Sequence, residues 1–553
     1  MRLFIMTLFN SLFFIKNINL QLGRKSNLHS SKLYYDVAFQ KYVITKAFPG
    51  WNVHAFLMLA DKNSAATVDG LNQKFQLKTV EDERTIVEIV GVVSREGLGE
   101  EVLIRICVDD LIIKIFQGTD SPTPASRSFV DYFHYLADKY ERDEKIAAII
   151  HKDCKVCEYQ STVEQEELGK LSDFKECWSA QLGWDKKMFD LPRILDIWDF
   201  RSKQKLMDSG IYLMREVKEE NIGDIKSNDD GKLSRTERQW LQIRKAVDND
   251  YTPFINTDGL RAELESFTYP LHFIDFETSM VAIPFNIGRR PYEQLAFQFS
   301  HHIVTYDYKI EHKGQYLCTE KGMFPNFEFV RHLKLELEKD NGSVFRYADH
   351  ENTVLNQILK QLEEISTEDV PDKTDLMNFI KSITHGTNHH GERDMIDLLK
   401  LVKNYYYNPL MGGSNSLKYV LPAILNSSVY LQEKYSQPIY GKNSPIRSLN
   451  YDDGWVWIKK DDQGAVINPY KLLPPLFEGI DDDQIEEFLM RSNIQEGGAA
   501  MTAYAKMQFG SITDKERESI IKGLLRYCEL DTLAMVLVWE YWHDLINKTS
   551  KNI

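Results

Sequence analysis

The sequence predicts an α/β protein whose C-terminal half is a mixed sheet flanked by helices. Three stretches carry that prediction. Phe273-Ile274-Asp275-Phe276-Glu277-Thr278 is an apolar run broken by polar residues two apart, as in a strand. Ser343–Tyr347 reads as a short strand, and Val354, Leu355 and Ile358 open a helix soon after it. LLRYCELDTLAMVLVWEYW, residues 524–542, places its apolar residues at helical spacing. Strands that alternate with helices in this way belong to α/β architecture. The N-terminal half reads as a smaller α/β piece followed by a helical connector.

Each element also carries acids. In a strand, Asp275 and Glu277 point to the same side. Two such carboxylates repel unless a positive group separates them. A divalent cation such as Mg²⁺, which takes hard oxygen ligands, is the usual answer. Tyr527 and Asp531 stand four apart on one helix face, where a tyrosine hydroxyl would orient a metal-bound water. Glu351 or Asp349 sits at the mouth of the strand-to-helix junction. Asp397 opens a further element in Met395–Leu399, a place where a lone Asp ordinarily caps a helix or meets its dipole. Each acid taken alone also fits a solvated surface charge. Their order along the chain is the stronger signal.

That order, D-x-E, an acid after a strand, a mid-domain Asp and then Y-x-x-x-D, resembles the Tyr-containing subclass of the DEDD exonucleases, which are ribonuclease-H-like. The stretches LHFIDFET (271–278), RPYEQLAFQFSHH (290–302), PLMGGSNSLKYVLPAIL (409–425) and LLRYCELDTLAMV (524–536) resemble the bacterial domain of unknown function family 2779. The resemblance covers roughly residues 266–548. It implies a 3′-5′ exonuclease that cleaves DNA or RNA with two Mg²⁺ or Mn²⁺ ions. Asp275 would bridge both metals, Glu277, Glu351 and Asp531 would complete the ligands, and Tyr527 would position the attacking water. Asp397 would join the metal shell or shape the substrate-facing helix. Here Glu351 stands where the commoner residue is Asp, and His350 stands where an aromatic is expected. The different-class alternative is a non-catalytic nucleic-acid-binding or scaffold protein with a degenerate site.

Composition frames this reading. The chain has 553 residues, 43% of them hydrophobic and 27% charged, which suits a globular protein of about three or four domains. The net charge of −15 argues against a broadly basic nucleic-acid footprint, so any basic groove is local. Thr278 beside the acid pair, Arg289 and Arg290 in the following loop, and Lys418 after the Gly412-Gly413-Ser414 turn are the candidate substrate contacts. The glycine turn is not a P-loop, since the G-K-[ST] lysine is missing. His385, His389 and His390 cluster in a polar stretch that reads as a solvated loop. The acidic run DDDQIEE at 481–487 adds to the negative balance.

Residues 25–190 resemble the tail of a RecB-like nuclease domain, through YYDVAFQKYVI (34–44) and WNVHAFLMLADKNSAATVDGLNQKF (51–75). Gln40 matches that family's helix glutamine. Lys25 is the available lysine, but Gly23 stands where the acid belongs and the upstream Asp is missing, so this half is expected to be an inactive remnant. The same family implies a [4Fe–4S] cluster, with Cys154, Cys157 and Cys177 as three candidate ligands. Six cysteines, three of them unclustered, do not make a secreted disulfide framework and favour the cytoplasm. Residues 1–24 begin with a short basic start and a Phe-rich apolar stretch that lacks an A-x-A site, and read as a leader or a spurious start. No other stretch suggests a membrane span. Residues 191–265 read as the connector. There, Ile194–Trp198 is expected to begin a helix ending near Gly210, and Ser234-Arg235-Thr236-Glu237 is a capping box that opens an amphipathic packing helix, the alternative being that its Arg and Lys face touches a phosphate backbone.

Overall fold

A computed structural model describes residues 28–79, 85–91, 93–118, 127–226, 228, 231–473, 498–510 and 512–551. The leader, Gly23, Lys25 and the acidic run at 481–487 lie outside the described residues. The chain forms two compact units. One is drawn from Met1–Gln76, Ile86–Ala148 and Met280–Glu293, the other from Leu77–Thr85, Ile149–Ser279 and Gln294–Ile553.

In the first unit, helix Leu28–Ala47 and helix Asp109–Phe116 accompany an antiparallel pair of strands, Phe56–Ala60 and Leu103–Cys107. Ala38, Ala55, Val108, Ile112 and Ile115 make its small core. Asp109 ties the pieces together. It accepts from the Ala55 amide at 2.9 Å and pairs with His54 at 2.8 Å and with Lys41. Burial pushes its carboxyl up, but these partners win and hold it at about 2. Gln40 spends its side-chain amide on Asp36, one helical turn away on the same helix, at 3.2 Å.

The second unit is built on a seven-stranded mixed sheet. Its strands are β1 (Leu271–Met280), β2 (Gln294–Val304), β3 (Ile310–Leu317), β4 (Val344–Arg346), β5 (Ile396–Asp397), β6 (Tyr440–Gly441) and β7 (Ile446–Arg447). Their order is β5-β4-β1-β2-β3-β7-β6. β2 and β3 pair antiparallel, whereas β4 runs parallel to β1 and β5 parallel to β4. This is a ribonuclease-H-like arrangement, with helices on both faces.

Alternation along β1 decides which side chain goes where. Ile274 and Phe276 join a core with helices Asn326–Leu337, His350–Glu364 and Lys373–Ile383. Leu271 and Phe273 join the opposite core with helices Leu398–Tyr405, Leu417–Ser427 and Asp514–Lys551. Asp275 and Glu277 continue that second face. Among the described residues, no helix is long and apolar enough to cross a membrane.

The sheet interior holds neutral histidines. His272 is 2% exposed, 2.9 Å from His301 and 2.8 Å from Asp340. Burial, together with the neighbouring His301, pushes the His272 imidazole down to about 4, with Arg393 adding and Asp340 opposing. The unfolded chain therefore binds this proton more readily, and stability is lost as pH falls from about 6.5 towards about 4. The His272 contribution alone should lower the second unit's melting temperature between pH 7 and pH 5, opposite in sign to the contribution of its buried acids. A His272→Gln protein should lack that contribution, and a difference equal to the parent's would exclude this histidine as its cause.

The connector corrects one expectation. Ile194–Asp196 is a single 3₁₀ turn, and a separate helix covers only Lys203–Asp208. Side chains of helix Arg235–Val247 take the hydrogen bonds that a longer helix would have used. Gln242 donates to the Asp196 carbonyl at 2.8 Å and Gln239 to those of Trp198 and Asp199 at 3.0 Å. Asp199, at φ 44°, turns the chain out of register. The capping box at Ser234 and Glu237 is present. Arg238 does not face outward to a phosphate backbone. It is 2% exposed and points its guanidinium into the second unit's interior. Residues 174–243 supply a small aromatic core, against which Cys154, Cys157 and Cys177 pack.

Candidate metal centre

The geometry of β1 brings the first two acids together. Its register with β4 pairs Phe273 with Phe345, and β4 ends at Arg346. Asp275 and Glu277 therefore emerge past the C-terminal end of the parallel pair, where open α/β sheets place their sites. Asp531 arrives from helix Asp514–Lys551, which Gln298 anchors to β2 by donating to the Leu524 carbonyl at 2.8 Å. Asp275, Glu277 and Asp531 each offer one oxygen, and these oxygens lie within 4.8 Å of one another. Among the described residues this is the one group of three acid, histidine or cysteine ligands so arranged. Two oxygens at ~2.1 Å from a shared Mg²⁺ stand at most ~4.2 Å apart, so little closing is needed.

The electrostatics of these acids would suit a cation placed among them. Burial raises the Asp275 carboxyl well above its usual range, and the charges of Asp531, Glu351 and Glu277 add to it. Burial and Asp531 do the same to Glu277, opposed by Lys418. Asp531 is raised to about 6 by burial, against a hydrogen bond from Tyr470 and the charge of Lys418. Glu351 is 2% exposed and is raised to about 8 by burial, with Arg346 opposing and Asp397 and Asp349 adding. Its Oε2 is buried without a hydrogen-bond partner. Hard carboxylate oxygens, mutual repulsion and an orphaned acceptor together suit Mg²⁺ or Mn²⁺.

The other expected residues fall out differently. Tyr527 lies beside the trio, with its ring centroid 6.1 Å from that of Tyr470, and its hydroxyl is held far above the usual phenol range by burial and by Asp531. Lys418 joins the site, its ammonium 5.5 Å from the Tyr527 ring centroid. Thr278 meets His350 at 3.3 Å. Glu351 stands outside the close trio, though its charge reaches Asp275. Asp397 caps the following helix through one carboxylate oxygen. Its Oδ1 accepts from the amides of Leu399 at 2.9 Å and Ala348 at 3.0 Å. Arg289 and Arg290 belong to the first unit, where Arg289 pairs with Glu293 at 3.1 Å and the Arg290 amide donates to the same carboxylate at 2.8 Å. His385 pairs with Asp394 at 2.9 Å and His389 with Thr384 at 2.9 Å, so each is engaged separately.

Cys154, Cys157 and Cys177 are half-buried and do not form a close three-sulfur group.

Two neighbours of the trio went unread in the sequence. Tyr470 donates its hydroxyl to Oδ1 of Asp531. The Cys528 thiol lies 3.7 Å from Oδ2 of Asp275, and burial beside that carboxylate keeps it protonated. Tyr470 sits on a 3₁₀ turn, Pro469–Leu472, far from any motif. One signal was available for the site as a whole. Lys418 occupies the first turn of helix Leu417–Ser427, where a cation opposes the dipole unless acids stand nearby.

Residues 272–416 match the family model Domain of unknown function (DUF2779). The matched stretch spans 145 of the 553 residues. It contains Asp275, Glu277, Glu351 and Asp397, while Lys418, Tyr470, Tyr527 and Asp531 lie beyond the matched span. No curated protein and no solved structure matches the chain.

Proposed function

We propose that this protein is a metal-dependent 3′-5′ exonuclease that hydrolyses phosphodiester bonds in DNA or RNA. The observation that carries the reading is the convergence of Asp275, Glu277 and Asp531 at the C-terminal end of the parallel strands. These three would hold a divalent cation, and the orphaned Oε2 of Glu351 is the further donor that a second ion requires. Bound there, the ions supply Lewis-acid polarisation of a phosphoryl oxygen and a water made acidic enough to attack. The chain's own groups do the rest. Tyr527 stays protonated and donates a hydrogen bond that orients the water. Lys418 offsets the phosphate charge beside the acids. The thiol of Cys528 fixes the Asp275 carboxylate.

A second reading is a nucleic-acid-binding protein without catalysis. Its support is that Glu351 stands outside the close trio. The deciding measurement is cleavage of end-labelled single- and double-stranded DNA and RNA by the full chain with Mg²⁺ or Mn²⁺. Shortening from the 3′ end, abolished by chelator, is expected, and Gln40→Ala should leave it unchanged. Binding without shortening in either metal favours the second reading. Loss of cleavage in Gln40→Ala would move the active centre to the first unit.

A further inference from the structure

Asp531 is the one acid of the trio that does not come from β1, so its orientation depends on what surrounds its helix. Two elements close on it. Tyr470 donates to Oδ1 from the turn Pro469–Leu472. That turn is itself fixed by Asn468, whose side chain accepts from the Tyr470 amide at 3.2 Å. The Tyr470 ring rests against Tyr527, and Lys418 lies over both rings, 5.8 Å and 5.5 Å from their centroids. A hydroxyl bound to one oxygen of a carboxylate makes that oxygen a poorer partner for a cation and pins the group's rotation.

We infer that Tyr470 is a positioning residue that holds Asp531 as a one-oxygen ligand and so biases the centre towards small octahedral cations over Ca²⁺. Mg²⁺ and Mn²⁺ accept single oxygens in near-octahedral geometry, whereas Ca²⁺ takes more oxygens and readily takes both from one carboxylate. The inference rests on the metal-centre reading above. Residues that hydrogen-bond a ligating carboxylate typically change metal affinity by about 10–100-fold when removed.

The test is calorimetric titration of the full chain with Mn²⁺ and separately with Ca²⁺, for the parent protein, Tyr470→Phe and Asp531→Asn. Tyr470→Phe keeps the ring against Tyr527 and removes only the hydroxyl, and its melting temperature without metal provides a check on folding. Mn²⁺ affinity is expected to fall about 10-fold or more in Tyr470→Phe, with Ca²⁺ affinity falling less or rising, so that the preference narrows. An unchanged ratio of the two affinities would overturn the inference while leaving the metal centre standing. If the parent chain binds neither ion, or Asp531→Asn binds both as tightly as the parent, the metal-centre reading falls and this inference with it.

Discussion

Replacing Asp275 by Asn is expected to lower metal-dependent cleavage by at least ~10³-fold, a loss of about 4 kcal/mol of transition-state stabilisation. The side chain keeps its size and loses the charge that the cation needs. The same change should make the metal-free protein more stable. Asp275 is crowded by Asp531, Glu351 and Glu277, and burial disfavours its charge. The folded-state values of these acids lie above their unfolded values, so metal-free stability is lost as pH rises through them, a range that includes about 6 for Asp531 and about 8 for Glu351. Asn at 275 removes one of the four repelling charges. A melting-temperature gain of a few degrees at pH 8 without metal is expected, with a smaller gain at pH 5. In the parent protein Mg²⁺ should raise the melting temperature at pH 8, and in Asp275→Asn it should not. Cleavage at the parent rate would place the active centre elsewhere.

The largest effect on stability is expected at Arg238. Its guanidinium donates to the carbonyls of Val402 and Lys403 at 3.2 Å, of Tyr406 at 2.6 Å, and to Oδ1 of Asn415 at 2.6 Å. Val402 and Lys403 are in the last turn of helix Leu398–Tyr405, where the Val402 carbonyl also accepts from the Tyr406 amide. Arg238→Met fills most of the space but removes the donor to four acceptors, of which the Val402 carbonyl keeps the Tyr406 amide, at a cost of about 3–5 kcal/mol. Arg238→Lys should recover little, since an ammonium cannot reproduce the planar fork. Asn415 also accepts from Tyr347 at its carbonyl and lies three positions before Lys418, so cleavage should fall along with stability. Denaturant unfolding followed by tryptophan fluorescence measures the cost. A loss below about 1 kcal/mol would mean that water replaces the guanidinium there.

Much of the centre was legible in the chain because its parts obey local periodicities. The two-residue spacing of Asp275 and Glu277 fixes their common face once the strand is recognised. The four-residue spacing of Tyr527 and Asp531 does the same on a helix. The strand-to-helix junction after Val344–Arg346 offered Glu351 or Asp349 without choosing between them. Tertiary partners left no such trace. The contact of Tyr470 with Asp531 joins residues from unrelated segments. Arg238 reads as a solvent-facing charge until the carbonyls it caps, 164 or more positions away, are known. The connector misled for a related reason. Ile194, Leu195 and Ile197 have helical apolar spacing, yet Gln239 and Gln242 claim the carbonyls that a helix would need. Asp397 carried both meanings in the sequence, and its Oδ1 accepts from the amides of Leu399 and Ala348 as a cap does.

The placement of Asp531 also sets an order of assembly. β2 and β3 form a hairpin next to β1, so a local meander can gather early and carry Asp275 and Glu277 with it. Asp531 lies 256 positions after Asp275 (531 − 275). Contacts of such sequence separation close late in folding. A nascent chain therefore displays two buried-facing acids long before the third ligand exists. Under the proposed metal-centre reading, cation binding would report completion of the second unit, because only the finished helix packing brings Asp531 to the other two acids.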